Sequence, residues 1–163
     1  MFKASMDLLT KWLTFGVGTL LFFTSFFPYF TSNDFPAFQY FIPFAFILLL
    51  AITYGYSTKG YAIQDGQLVI LRPFRAKNYP LVDIQSVTSV DRDSLKGSLR
   101  IFGVGGLFGY YGLFRNSTYG NMIWYATRRD QFVVIERSNG KTIVITPDDP
   151  VSFVSAYQMF TRK

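Results

Sequence analysis

The sequence predicts a two-helix transmembrane hairpin followed by a small, mainly β domain: a barrel of about seven antiparallel strands capped by a C-terminal helix. Three observations carry this. Residues 12–33 and 35–58 contain no charged side chain, and Asp34 alone separates them. At Lys59 the composition switches abruptly to short β-like runs of mixed charge. The last dozen residues then return to helical periodicity. The expected division is a cytoplasmic lead over 1–11, two spans over 12–31 and 36–57, and one domain over 60–163 with an insert at 94–121. At 163 residues the chain has room for a membrane hairpin and one small domain.

The lead holds Lys3, Asp7 and Lys11 with Phe2, Met6, Leu8 and Leu9, an amphipathic hint. Trp12 opens the first span, and Pro28, Tyr29 and the polar run Thr31-Ser32-Asn33-Asp34 close it. About 20 apolar residues suffice to cross roughly 30 Å of hydrocarbon as a helix, and Trp and Tyr suit the interface. A cleaved signal peptide is the alternative, but the apolar run exceeds a usual h-region and no A-x-A site follows. The second span opens at Pro36, with Asn33 or Asp34 as cap, and ends at Tyr54-Gly55-Tyr56. Pro43 lies inside it as a candidate bend. Gly16, Gly18 and Thr19 allow close helix approach without forming GxxxG. Runs such as Phe44–Leu50 (FAFILLL) would need a large protein around them if they were buried in a soluble core.

Charge sets the orientation. Lys3 and Lys11 precede the hairpin, and Lys59, Arg72, Arg75 and Lys77 follow it, whereas the connecting loop carries only Asp34. The positive-inside rule therefore places both termini and the domain in the cytoplasm, as an integral, multi-pass protein of the inner or plasma membrane. The two lysines and two aspartates of residues 1–58 cancel, so the net charge of +6 belongs wholly to the rest of the chain. A basic domain tied to a membrane is drawn to anionic head groups by about 1 kcal/mol per nearby Lys or Arg.

The domain opens with two strands, Tyr61–Gln64 and Gln67–Arg72, around Asp65-Gly66, a strong hairpin signal. Ala76–Tyr79, Ile84–Val90, Asn121–Thr127, Gln131–Ile135 and Thr142–Thr146 follow as strands. Asn139-Gly140 predicts a second two-residue hairpin. Thr146-Pro147-Asp148-Asp149-Pro150 starts the final helix, with Asp148 or Asp149 as cap and Pro150 in the first turn. Phe153, Val154, Tyr157 and Phe160 form its apolar face, and Arg162 and Lys163 suit its C-terminal end.

Tyr110-Tyr111-Gly112, Tyr125-Ala126-Thr127, Val133-Val134-Ile135, Lys141–Ile145 and Pro147–Pro150 together resemble bacterial pleckstrin homology (PH) domain membrane proteins, over about residues 60–161. The resemblance implies a PH-like fold behind membrane helices, of largely unassigned function. Eukaryotic phosphoinositide-binding members place Lys and Arg around a roomy first hairpin loop. Here that loop is Asp65-Gly66, so no residue role carries over.

The insert is the least ordinary stretch. Seven glycines between Gly97 and Gly120 alternate with aromatics. A phosphate loop does not match, because position 108 is Phe and no Gly-Lys-Ser/Thr follows. Two readings stand: an irregular strand pair covering one barrel end, or an aromatic loop that contacts head groups or a partner. For the second, the candidate contact residues are Arg100, Phe102, Phe108, Tyr110, Tyr111, Phe114 and Arg115. Arg128-Arg129 reads as a solvated turn, and the Asn116-Ser117-Thr118 sequon as chance.

The chain has no Cys and no His, which removes disulfides, thiol chemistry, His-based triads and ordinary zinc sites. Asp91 and Asp93 read as turn residues rather than metal ligands. No catalytic residue, cofactor or metal site is expected, and the chain is not read as an enzyme. Its scattered cations and loop-bound aromatics do not make a nucleic-acid platform. The expected role is a membrane-anchored binding or scaffolding module that recognises a protein partner, its own copy or anionic lipid. The alternative is a subunit of a membrane enzyme or transporter, although the spans hold no ionisable residue.

Overall fold

The computed structural model describes residues 1–27, 30 and 41–161. Two helices come first, α1 (Leu8–Phe26) and α2 (Phe41–Tyr56), after a two-residue strand β1 (Phe2–Lys3). Nine strands follow: β2 (Gly60–Gln64), β3 (Gln67–Leu71), β4 (Lys77–Pro80), β5 (Ile84–Val90), β6 (Leu99–Gly105), β7 (Tyr110–Asn116), β8 (Gly120–Ala126), β9 (Phe132–Arg137) and β10 (Thr142–Ile145). Helix α3 (Pro150–Thr161) closes the fold.

All seven expected strands are present, and the insert adds β6 and β7 as a hairpin. The strands do not close into the expected barrel. They form a four-stranded sheet, β1-β2-β3-β4, and a six-stranded sheet, β5-β9-β10-β8-β7-β6. One pair, β8 with β10, is parallel. The large sheet has apolar residues on both faces. On one face Val133, Ile135, Ile143 and Ile145 meet Tyr61, Leu68, Ile70 and Tyr79 of the small sheet, with Phe153 and Tyr157 of α3. On the other, Trp124, Val134 and Val144 pack with Phe114, Phe132 and Leu95. Alternate residues of each central strand thus serve two cores, which is why these runs read as continuously apolar.

Local chemistry explains the turns. Asp65 and Gly66 both have positive φ, 51° and 68°, as a type I′ hairpin requires. The second expected hairpin differs. With Ile135 opposite Ile143, the connection between β9 and β10 is the four residues 138–141 instead of Asn139-Gly140 alone. Gly140 supplies the positive φ of 115°. Asp149 is the cap of α3, its carboxylate accepting from the Ser152 amide at 3.0 Å, and Pro150 stands first in the helix. The sequon asparagine closes a turn, since Asn116 Oδ1 accepts from the Tyr119 amide at 2.7 Å. The expected helix-end cations Arg162 and Lys163 lie outside the described residues.

The helical pair matches the expectation in part. Helix α1 has 19 residues, about 28 Å, and is apolar enough to cross a bilayer. Among the described residues helix α2 has 16, about 24 Å, which alone is short of a full span; of the expected second span of 36–57 these residues show Phe41–Tyr56 as helix, and 36–40 lie outside them. The intervening features, Pro28, Tyr29, the 31–34 loop and Pro36, lie outside the described residues. The two helices pack on each other. Their large apolar side chains, among them Phe15, Phe22, Phe23, Phe44 and Ile47, remain exposed.

The β6–β7 hairpin depends on glycine at one cross-strand pair. Gly103 faces Gly112, with φ of 119° and 126°. A Cβ on Gly112 would lie 2.3 Å from the Phe102 carbonyl oxygen, and one on Gly103 2.2 Å from that of Tyr111. Both obstacles are backbone, so no rotamer change relieves them. Gly112→Ala is therefore expected to destabilise the domain by about 2 kcal/mol or more. Val82→Ala, at a position 88% exposed, should leave stability nearly unchanged. Thermal unfolding of the two variants checks the contrast.

Candidate functional site

The helices meet the sheets at a junction that satisfies the polar ends of both. The last four carbonyls of a helix lack intrahelical donors. In α2, the Tyr111 hydroxyl donates to the Thr53 carbonyl at 2.5 Å. The Ser57 amide and hydroxyl reach the Tyr54 carbonyl at 3.0 and 2.7 Å. The Phe74 amide donates to the Gly55 carbonyl at 3.1 Å. Gly55 permits this approach, because the Phe74 ring lies where a Cβ would stand.

At the start of α1, Asp7 caps the helix through the Thr10 amide at 2.7 Å. Its other carboxylate oxygen accepts from the Arg129 amide at 3.2 Å. The residues before it belong to the domain. Phe2 packs edge-on against Phe153 with ring centroids 5.1 Å apart, and Lys3 pairs with Gly60. Ser5 donates to Asp148 through its amide and its hydroxyl, at 2.8 and 2.6 Å. Of the two aspartates before α3, Asp149 caps and Asp148 ties down the lead. Partial burial pushes the Asp148 carboxyl up, but the Ser5 hydrogen bonds, Arg128 and Lys3 outweigh this and hold it below its ordinary range.

The seven candidate contact residues divide by position. Tyr110 and Phe114 turn inward to the core, where the Phe114 ring stacks on Trp124 at 4.3 Å. Tyr111 is buried and spends its hydroxyl on α2. Phe108, at the hairpin tip with φ of 58°, packs on Tyr54 at 5.5 Å, and its amide donates to Thr14 Oγ1 at 2.9 Å. Arg100, Phe102 and Arg115 remain on the surface, Phe102 74% exposed. The insert is thus an irregular strand pair, as the first reading has it, and its tip packs on the chain's own helices. Arg128 does not make a free turn cation, since it pairs with Asp130 and Asp148. Arg129 is exposed and lies 4.7 Å above the Tyr110 ring.

Between α2 and the open half of the large sheet lies a cleft of about 750 Å³. Residues of β6, β7 and β8 line it on the sheet side, and Ile52, Thr53 and Tyr56 on the α2 side. Its walls are mostly apolar, with Ile52, Phe102, Val104 and Ile123 among them, and its charged residues are Arg72 and Arg100. The Arg72 guanidinium sits 4.7 Å from the Tyr125 ring centre and 5.9 Å from that of Tyr56. Its Nε is buried without a hydrogen-bond partner. In the sequence Arg72 marks only the charge bias around the helices. Its approach to Tyr56 and Tyr125 depends on sheet pairing, which sequence spacing does not encode. A second depression of about 410 Å³, lined by Arg92, Lys96, Arg129 and Trp124, opens elsewhere on the domain.

The Asp148 carboxyl, lowered in the fold, contributes stability that is fully present above its ordinary value of 3.8 and is lost as pH falls through its lowered one. Melting temperature should therefore drop on acidification below about pH 4. Asp148→Asn should remove part of that drop and cost about 1 kcal/mol or less at neutral pH, because the carboxylate is about one-third exposed.

No curated protein and no solved structure matches the chain. The family model described as bacterial PH domain matches residues 59–160, from the end of α2 through nearly all of α3. That is well over half of the sequence, and the chain belongs to the bacterial PH domain family.

Proposed function

We propose that this chain is a membrane-anchored, non-catalytic binding module, whose PH domain sits at the cytoplasmic face and recognises a protein partner or anionic lipid there. The observation that carries the reading is the junction. Helices α1 and α2 leave and re-enter the domain at one place, held by Asp7, Tyr111, Phe74 and Phe108, so the domain cannot swing freely from its anchor. Only 11% of the apolar window of α1 is buried, unlike the core helix of a soluble protein. Exposed aromatic and branched side chains along both helices would cost heavily in water and nothing in hydrocarbon.

The flanking charges support the orientation. Lys3, Lys59, Arg72 and Lys77 lie on the domain's side of the helices, and Lys11 stands in the first turns of α1 at that end. Trp12, Tyr54 and Tyr56 are exposed around the junction, as expected of an interfacial belt. Lys59 Nζ stands 4.4 Å from the Tyr54 ring centre, an arrangement that keeps the ammonium at the head-group level. The β1–β2 pairing supports retention of α1, because cleavage after it would remove a strand of the domain.

Fractionation of cells expressing the full chain tests the anchoring. The protein is expected to stay with membranes through an alkaline carbonate wash. Protease added outside intact spheroplasts should leave the domain whole, and after lysis should reach it. Release by carbonate would overturn the anchor, and cleavage in intact spheroplasts would overturn the orientation.

A further inference from the structure

We propose that the cleft between α2 and the β6–β8 face binds an anionic phospholipid of the surrounding bilayer, its phosphate on Arg72 and Arg100 and one acyl chain along the apolar wall. This rests on the membrane placement proposed above and adds the ligand and its site.

The argument begins with charge. Ion pairs among the described residues join Arg128 to Asp130 and Asp148, and Arg137 to Asp83. Arg72 and Arg100 form none, and no Asp or Glu lines the cleft. The rings of Tyr56 and Tyr125 lie 5.9 and 4.7 Å from the Arg72 guanidinium, and its Nε–H is left without an acceptor. A half-buried guanidinium with an unmatched Nε is costly until an oxyanion arrives, and phosphate oxygens match its planar fork.

Shape and place then select a lipid over a small soluble anion. A free phosphate would use the two arginines and leave the rest of about 750 Å³ empty. Ile52, Phe102, Val104 and Ile123 give that remainder the character of an acyl-chain groove. Ile52 belongs to the last turns of α2, so the cleft lies at the level where a membrane helix emerges and lipid head groups stand. The first hairpin, Asp65-Gly66, is not part of it.

Native mass spectrometry tests this on the full chain released from micelles holding equimolar phosphatidylglycerol and phosphatidylcholine of one chain length. The expected result is selective retention of one phosphatidylglycerol. Arg72→Ala with Arg100→Ala should reduce that retention about tenfold. Lys96→Ala with Lys141→Ala, an equal loss of charge outside the cleft, should not. Val104→Trp, at a groove residue outside both cores, fills the groove with both arginines kept, and is expected to lose the lipid while melting normally. Equal retention of both lipids, or full retention by the double arginine variant or by Val104→Trp, overturns the site. Displacement by inorganic phosphate alone would assign the arginines to a soluble anion and overturn the lipid. Crosslinking of a photoreactive group at Phe102 to a protein, with no lipid adduct, would do the same in favour of a partner. Because carbonate resistance is read without reference to head group, a failed anchor and a failed lipid site give different results.

Discussion

The carbonyl end of α2 is the constraint on which the rest of the arrangement depends. A helix that stops at Tyr56 exposes the carbonyls of its last turn, and in an apolar medium each unpaired one costs several kcal/mol. The domain supplies the missing donors: the Tyr111 hydroxyl, the Ser57 amide and hydroxyl, and the Phe74 amide. Each comes from a different part of the fold, namely β7, the connector after the helix, and the β3–β4 turn. For all of them to arrive together, the small sheet and the large sheet must already stand in their final relation. The helix end is therefore fixed by the folded domain together with a local cap at Ser57.

That requirement explains the odd composition of the insert. To bring Tyr111 under α2, β7 must pair with β8 on one side while its hairpin partner β6 crosses it very closely at Gly103 and Gly112. A bulge at Ile101, between the Arg100 and Phe102 pairings, adds to the local twist. The tip then curls back so that Phe108 meets Tyr54 and Thr14. The glycines permit these close approaches, and the aromatics between them supply the contacts.

How much of this was legible in the residues varies with the range of the interaction. Asp65-Gly66 and Asp149-Pro150 declare a turn and a helix start because their chemistry is local, and the seven strands around them follow from period and punctuation. The four-residue connection around Asn139 was not readable, since register is set across the ladder by Ile135 and Ile143. Nor was the two-sheet arrangement, because inward and outward residues of β8–β10 are both apolar and give no sign of which face meets which sheet. Among the insert's aromatics, Tyr110 and Phe114 differ from Phe102 only by the face they occupy. Glycine-interrupted runs carry no reliable alternation from which to assign that face.

Edge strand β6 poses a separate physical problem. Leu99, Ile101 and Phe102 are all exposed on it, and one backbone edge of β6 is unpaired among the described residues. In water such an edge invites pairing with another chain. The Ile101 bulge and the Gly103 crossing interrupt its flatness, which weakens that tendency without removing the apolar cost. Under the proposed placement the cost largely disappears, because the edge lies beside the helices at the interface, where branched and aromatic side chains partition favourably. One assumption, a bilayer at the level of the junction, thus accounts for the uncovered helices, the apolar edge and the two arginines of the cleft that form no ion pair.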